Sequence, residues 1–453
     1  MEPPRPLTQR PDEEQEYTAF NEETDLLLNG KTSNGDKNVV PFSWVEYEIF
    51  ALLGMAMLWA WNMFLAASPY FQGRFEADKW VLQNFQSAII IVSTITNFGV
   101  MITLANSRSM GRYSFRINLA LYINAIVFAL LTVSTTTFLN ATPGQYLCFI
   151  LVMVASTAWA AGLIQNGAFA LTASLGRPEY MQAILAGQSV AGVLPPVAQI
   201  VSVLVTPPEE PATGEAGSAS RDAGSVAFTY FLTAVAVSIV ALLGFIPLGR
   251  RHNQVSENRK VERMAESFDE PERDIHKPVT MLALLRKLHW CAAAIFACFA
   301  IAMLFPVLTP KVVSVAPSSE GNPLLEPAAF IPLAFFFLNV GDLTGRASAL
   351  SLPFRGHPAV LFVISIARVL FLPLYALCNI NGRGAVIPSD LFYLMFVQFP
   401  HGLANGWLAS NCMMVACNLV DEHEREATGS FMALCLMSGL TFGGLMSFVV
   451  ARI

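Results

Sequence analysis

Long apolar runs, each close to the length needed to cross a bilayer, alternate along this chain with short polar connections. Eleven of them can be drawn, at about 46–68, 83–106, 116–139, 146–175, 181–206, 226–248, 288–310, 327–352, 358–379, 390–418 and 425–451. A spanning helix needs about 20 mostly apolar residues because the hydrocarbon core is ~30 Å thick. The runs are continuous, unlike the alternating ~10-residue strands of a membrane barrel, so helices are the spanning element. Between Ile117 and Gly176 there is no Asp, Glu, Lys or Arg, and only the turn signal Asn140-Ala141-Thr142-Pro143-Gly144 cuts that stretch into two helices. The pattern predicts an all-α polytopic membrane protein with 11 transmembrane helices.

Charge sharpens this picture. Only 13% of the 453 residues are charged, about half the usual share of a soluble domain. Of those side chains, 13 lie in residues 1–45 and 16 in residues 250–287. The expected organisation is a disordered cytoplasmic tail over 1–45 and a six-helix bundle over 46–248. A charged cytoplasmic loop follows over 249–287, then a five-helix bundle over 288–453. With the N-terminus cytoplasmic, the loops on that side carry 16 Lys and Arg against 6 on the other. That asymmetry fits the positive-inside rule, and an odd number of spans puts the C-terminus in a lumen or outside. The net charge of −6 gathers in the tail, which offers no basic surface for nucleic acid.

A weak internal repeat links the two bundles. Asn97-Phe98-Gly99 in the second segment returns as Asn339-Val340-Gly341 in the eighth, and Asn166-Gly167 in the fourth returns as Asn405-Gly406 in the tenth. Parallel bundles of this kind, with a site between them near the midplane, are the layout of major-facilitator transporters. The expected architecture is a 6+5 two-bundle version of it.

Few residues in the apolar segments can carry chemistry. Asp342 and Arg346 are four apart, so they share a helix face and can pair. Charge at that depth is costly and faces a cavity or a partner. The pair serves either to fix helix packing or as a clamp, its carboxylate accepting two adjacent hydroxyls and its guanidinium donating to ring oxygens. Gln165-Asn166-Gly167 sits mid-segment, and a buried amide there suits a heterocycle edge or an interhelical bond. Trp61 lies too deep for the interfacial belt, and its indole either packs or stacks on a planar ligand. Phe305-Pro306 predicts a kink. Arg116, Arg368 and Glu426 lie near segment ends, where snorkelling or gate contacts are expected. Gly187 with Gly192, and Gly439 with Gly443, predict close helix approach. Seven scattered cysteines read as buried apolar side chains. No HExxH, GxSxG or dinucleotide motif occurs and the six histidines show no metal spacing, so no metal, cofactor or enzyme activity is expected.

With these residues in hand, the sequence resembles the equilibrative nucleoside transporter family from about residue 46 to 453. The resemblance rests on Trp61-Asn62, Gln165 with Phe169, Gly187-Gln188 through Gly192, and Phe305-Pro306. It continues through Asp342-x-x-Gly345-Arg346, Ala367-Arg368 through Pro373, and Asn405-Gly406 with Leu408-Ala409-Ser410. It implies passage of purine and pyrimidine nucleosides, with nucleobases as a further class, by facilitated alternating access. It also implies roles: Trp61 stacks on the base, Gln165 bonds its edge, and Asp342 and Arg346 face the ribose with Asn339 and Phe335 nearby. Phe305 and Leu65 would line the cavity, and Arg116 and Glu426 would make cytoplasmic gating contacts. Ala60 stands where the family usually has Pro. The alternative reading is a proton-coupled sugar or drug transporter, and behind it a membrane-embedded enzyme or a receptor.

The similarity is to fungal vacuolar members. Glu22, Leu26 and Leu27 form an acidic dileucine pattern that adaptor proteins could read, so a vacuolar or endosomal membrane is expected ahead of the plasma membrane. Nucleosides and the lipid bilayer are the expected partners, with protons a candidate through Asp342.

Overall fold

The computed structural model describes residues 42–105, 113–205, 216–269, 279–316 and 322–450. The expected tail with Glu22, Leu26 and Leu27, and residues 270–278 of the charged connection, lie outside the described residues. Among the described residues, eleven principal helices follow one another: α1 Trp44–Ala66, α2 Lys79–Ala105, α3 Tyr113–Thr137, α4 Pro143–Ser174, α5 Pro178–Val205 and α6 Ala216–Asp269. The second half holds α7 Met281–Ala302, α8 Pro327–Ser348, α9 Pro358–Ala367, α10 Phe399–Asn418 and α11 Arg425–Val450. Among the described residues, ten helical stretches are long and apolar enough to span a membrane.

The segment expected over 390–418 is not one of the ten. It starts as a turn at Asp390–Phe392 and a π-helical stretch at Tyr393–Gln398 before α10 begins. Its hydropathy is lowered by Gln398, His401 and Asn411, which are buried against other helices and not turned to lipid. Hydropathy scores average composition, so a helix with an inward polar face falls below the line.

Three further boundaries differ from the sequence pattern. The sixth helix, expected to end near 248, runs to Asp269. The residues after Gly249 are polar but contain no Pro or Gly before Pro271, so helix propensity persists where apolarity stops. The kink expected at Phe305-Pro306 is a break: α7 ends at Ala302 and a short helix restarts at Phe305. The ninth segment breaks into α9, a 3₁₀ turn at Arg368–Leu370 and a helix at Phe371–Tyr375. Pro373 has no N–H for the carbonyl four residues earlier, which loosens the α-helical ladder there.

Packing repeats between the halves. α2 packs on α4 as α8 packs on α10, and α1 on α5 as α7 on α11, while α3 leans on α6. The α8–α10 contact is backbone on backbone. A Cβ built on Gly341, Gly345 or Gly402 would lie 2.0–2.2 Å from a carbonyl oxygen of the facing helix. Only glycine permits that approach. The expected closeness at Gly187 is likewise observed, its built Cβ falling 1.8 Å from the Ala51 carbonyl.

The apolar core is divided along the membrane normal. At the end bearing the α2–α3, α4–α5, α6–α7, α8–α9 and α10–α11 connections, one cluster joins both halves, with Phe50, Phe169 and Tyr180 beside Leu284, Met413 and Phe431. At the opposite end the core splits. Phe64, Phe71 and Phe128 pack within the first half, and Phe305, Phe330 and Tyr393 within the second. The halves are closed together at one end and separate into two bodies toward the other.

Candidate functional site

The point where the shared core gives way to the two separate ones is occupied by α8. Phe335, Asn339, Asp342 and Arg346 fall at i, i+4, i+7 and i+11, so they lie along one side of this helix. Asp342 and Arg346 are buried at 9% and 5% exposure, and the expected pair forms, with Arg346 Nε 2.8 Å from Asp342 Oδ2. Asn339 Nδ2 donates to the Phe335 carbonyl at 2.9 Å, and its Oδ1 lies 3.0 Å from where a Cβ of Gly192 would be.

The pair is stitched to the other half of the molecule. Arg346 Nη1 donates to the Leu185 carbonyl at 2.7 Å and to Gln188 Oε1 at 3.1 Å, both on α5. Gln182 Nε2, also on α5, donates to the Arg346 carbonyl at 3.1 Å. Ser189 donates its hydroxyl to Asp342 Oδ2. From its own half, Asp342 Oδ1 receives Asn405 Nδ2 at 2.7 Å. Asp342 and Arg346 therefore sit on the seam between the halves. Burial without such partners would be strongly unfavourable.

Behind Asn405 lies a second group of buried polar side chains. Cys298 on α7 donates its thiol to Asn405 Oδ1 at 3.4 Å. Arg368 Nη1 donates to the Cys298 carbonyl at 2.9 Å, and Nη2 to His401 Nε2 at 2.9 Å. The His401 ring stacks on Phe305, with centroids 3.3 Å apart. Two expectations change here. Arg368, expected to snorkel or reach a gate, is 2% exposed inside the second half. Its side chain starts in the 3₁₀ turn after α9, which aims it at α7 and α10. Phe305, expected to line a cavity, is fully buried between His401 and Tyr375.

On the first half, Trp61 is half-buried against the core at the divided end, and Leu65, one turn on, is 52% exposed. Asn62 Nδ2 donates to the Ala191 carbonyl at 2.7 Å, tying α1 to α5 beside Gly192. Gln165 is 8% exposed and makes no hydrogen bond to another described residue, so its amide keeps its full capacity for a ligand. Its neighbour Asn166 accepts from Arg116 Nη1 at 2.7 Å. Glu426 on α11 acts electrostatically on Arg116 across the seam, so the two expected gating residues lie within electrostatic range of each other at the closed end. Gly429, one turn after Glu426, comes within 2.2 Å of the Phe169 carbonyl by its built Cβ. Ser189, Asn405, Cys298 and His401 were not expected at the site. They are neutral polar residues in mostly apolar helices, and His401 and Asn405, four apart on α10, leave a periodic trace.

Asp421, His423 and Glu424 are the group of metal-type ligands that converge among the described residues. Glu424 is taken by Lys287 Nζ at 2.7 Å. Among the described residues, the seam carries no such set.

An all-helical chain of two bundles with a buried ion pair on their seam has a major-facilitator-like fold. The overall fold is similar to that of FucP, a major facilitator superfamily transporter crystallised in the outward conformation (TM-score 0.55, 15% identity, 90% of this chain and 97% of that one). Residues 151–452 match the nucleoside transporter family model. The chain is 28% identical to the nucleoside transporter FUN26 of Saccharomyces cerevisiae, over 89% of this chain and 84% of that one. It is 25% identical to human equilibrative nucleoside transporter 1, over 89% and 96%. The chain belongs to the equilibrative nucleoside transporter family. It is a nucleoside transporter and not an enzyme.

Proposed function

We propose that this chain carries purine and pyrimidine nucleosides, and nucleobases with them, by facilitated alternating access across an intracellular, vacuolar-type membrane. The observation that carries the reading is the Asp342–Arg346 pair, which bridges the two halves through α5. A carboxylate and a guanidinium on a seam can hold a polar ligand and sense the separation of the halves together. The bundles 46–248 and 288–453 rock about this level. Trp61 stacks on the base, Gln165 bonds its edge, and Asp342 and Arg346 hold the ribose beside Asn339 and Phe335. Leu65 lines the mouth, and Phe305 supports the site from behind through His401.

The closed end carries the basic connections, which by the positive-inside rule is the cytoplasmic end. The mouth of this state then opens to a lumen, with Arg116 and Glu426 holding the cytoplasmic side. The dileucine at Glu22, Leu26 and Leu27 and the resemblance to fungal vacuolar members support the membrane assignment, with adaptor proteins reading the signal.

The test is uptake of labelled adenosine and uridine into liposomes, with and without an inward proton gradient, beside Asp342→Asn. Saturable uptake that stops at equilibration and is weakened by the substitution is the expected result. Accumulation only with the gradient would make the carrier proton-coupled. No uptake of either nucleoside by folded protein overturns the substrate assignment.

A further inference from the structure

Asp342 has almost no capacity left to accept a ligand in this state. A carboxylate offers about four lone-pair sites. Oδ2 accepts the Ser189 hydroxyl and lies 2.8 Å from Arg346 Nε in the ion pair, and Oδ1 accepts Asn405 Nδ2. The guanidinium crowds the rest of Oδ2, which leaves one open site, on Oδ1. A vicinal diol brings two donors, so a resident donor must leave before a ribose can engage the carboxylate fully.

The three residents are not equally able to leave. Arg346 is on the same helix, one turn away. Asn405 is on α10, whose glycines lock its backbone against α8, and its Oδ1 is held by Cys298. Ser189 alone comes from the other half. It sits on α5 one residue after Gln188, which holds Arg346, and three before Gly192, which meets Asn339. Its donation to Asp342 lasts only while the halves stay together at this level.

Resting on the reading of Asp342 as the ribose contact, we infer that Ser189 is the positioning residue that couples substrate binding to release of the closed end. Its hydroxyl occupies Asp342 in the empty carrier, and the cis-diol of a ribonucleoside takes its place. Binding thus removes one of the contacts between α5 and α8 and lowers the cost of parting the end that was shut. A ligand shifts a two-state equilibrium only through a difference in its interactions with the two states, and this exchange supplies one. A nucleoside without the diol occupies the site but leaves the Ser189 contact standing. Ser189 therefore makes the carrier less selective for ribose than Asp342 alone would be, and ties what selectivity remains to movement.

The experiment compares adenosine with 2′,3′-dideoxyadenosine on the full-length protein in liposomes, the second as substrate or as competitor of adenosine uptake. The readout is the ratio of the dideoxy constant to the adenosine KM, because a change in contacts common to both ligands, such as those to the base, moves both constants together and cancels. Ser189→Ala frees an acceptor for the diol alone, and the ratio is expected to rise roughly tenfold, as fits one hydrogen bond to a charged group. Ser189→Thr keeps the hydroxyl and is expected to hold the wild-type ratio, with both variants eluting as monodisperse protein. In the Asp342→Asn background, Ser189→Ala is expected to leave the ratio unchanged.

An unchanged ratio in Ser189→Ala, or a rise that persists in Asp342→Asn, overturns the proposal while leaving Asp342 as a ribose contact. A wild-type ratio near one that Asp342→Asn does not alter overturns both, since Asp342 would then not meet the diol at all.

Discussion

A Cβ on Gly406 would sit 2.0 Å from the carbonyl oxygen of Asp342, and Asn405, the residue before it, bonds the Asp342 side chain. One turn of α10 therefore fixes both the backbone and the carboxylate of the residue at the seam. The close packing of α8 on α10 and the geometry of the ion pair are a single feature.

Gly406→Ala is expected to force these helices apart at a cost of about 1–3 kcal/mol or more. The melting temperature in detergent should fall, and adenosine KM should rise with it. Gly444→Ala is the control, since its Cβ would meet only the Met303 methyl at 3.9 Å, and about 0.5 kcal/mol or less is expected there. Equal losses at the two sites would contradict the backbone contact as the cause.

Gln165→Leu should separate binding from stability. The side chain gives up no hydrogen bond to a described residue, so the melting temperature should stay near wild type. Adenosine KM should rise roughly tenfold if the amide bonds the base. A lower melting temperature with an unchanged KM would make Gln165 a packing residue.

Arg368→Lys tests the buried group behind the clamp. A lysine cannot span the Cys298 carbonyl and His401 together, because it lacks the planar fork of the guanidinium. A loss of about 1.5–3 kcal/mol is expected from the broken charged hydrogen bond, read as a fall in melting temperature. The preference for adenosine over 2′,3′-dideoxyadenosine should move little, since lysine keeps the charge that acts on Asp342 from a distance while Arg368 bonds only Cys298 and His401. A large change in preference would give Arg368 a direct part in ligand selection.

Arg116 and Glu426 come from opposite halves, so their substitutions should not add. A double-mutant cycle of Arg116→Gln and Glu426→Gln, read as uptake rate, is expected to give a coupling of about 0.5–3 kcal/mol. Strict additivity would remove the pair from the gate.

The sequence made some of this legible and hid the rest for identifiable reasons. Asp342 and Arg346 could be paired because helical spacing puts i and i+4 together, and the glycines of α5 and α11 could be read as contact points because close helices need small residues. The 6+5 arrangement followed from apolar length and basic loops. Hydropathy reports where lipid is tolerated, so it missed the helical run of α6 to Asp269 and cannot separate the helices broken near Phe305 and Arg368. Arg368 looked like a surface anchor because a lone arginine near a segment end gives no hint of the turn that aims it inward. Ser189, Cys298 and Asn405 are small polar residues whose role is set by partners more than 60 residues away, and no local pattern encodes such distances.

In the proposed alternating access, the apolar cluster that joins the halves at one end has to come apart whenever that end opens. Water then meets surfaces such as Phe169 and Phe431 that are dry in the closed arrangement. Exposing apolar surface carries a positive heat-capacity change, so the balance between the two orientations bends with temperature instead of following a straight line. A plot of the logarithm of uptake rate against reciprocal temperature should therefore curve even while the bilayer stays fluid, and replacing Phe431 by a smaller apolar residue should flatten it.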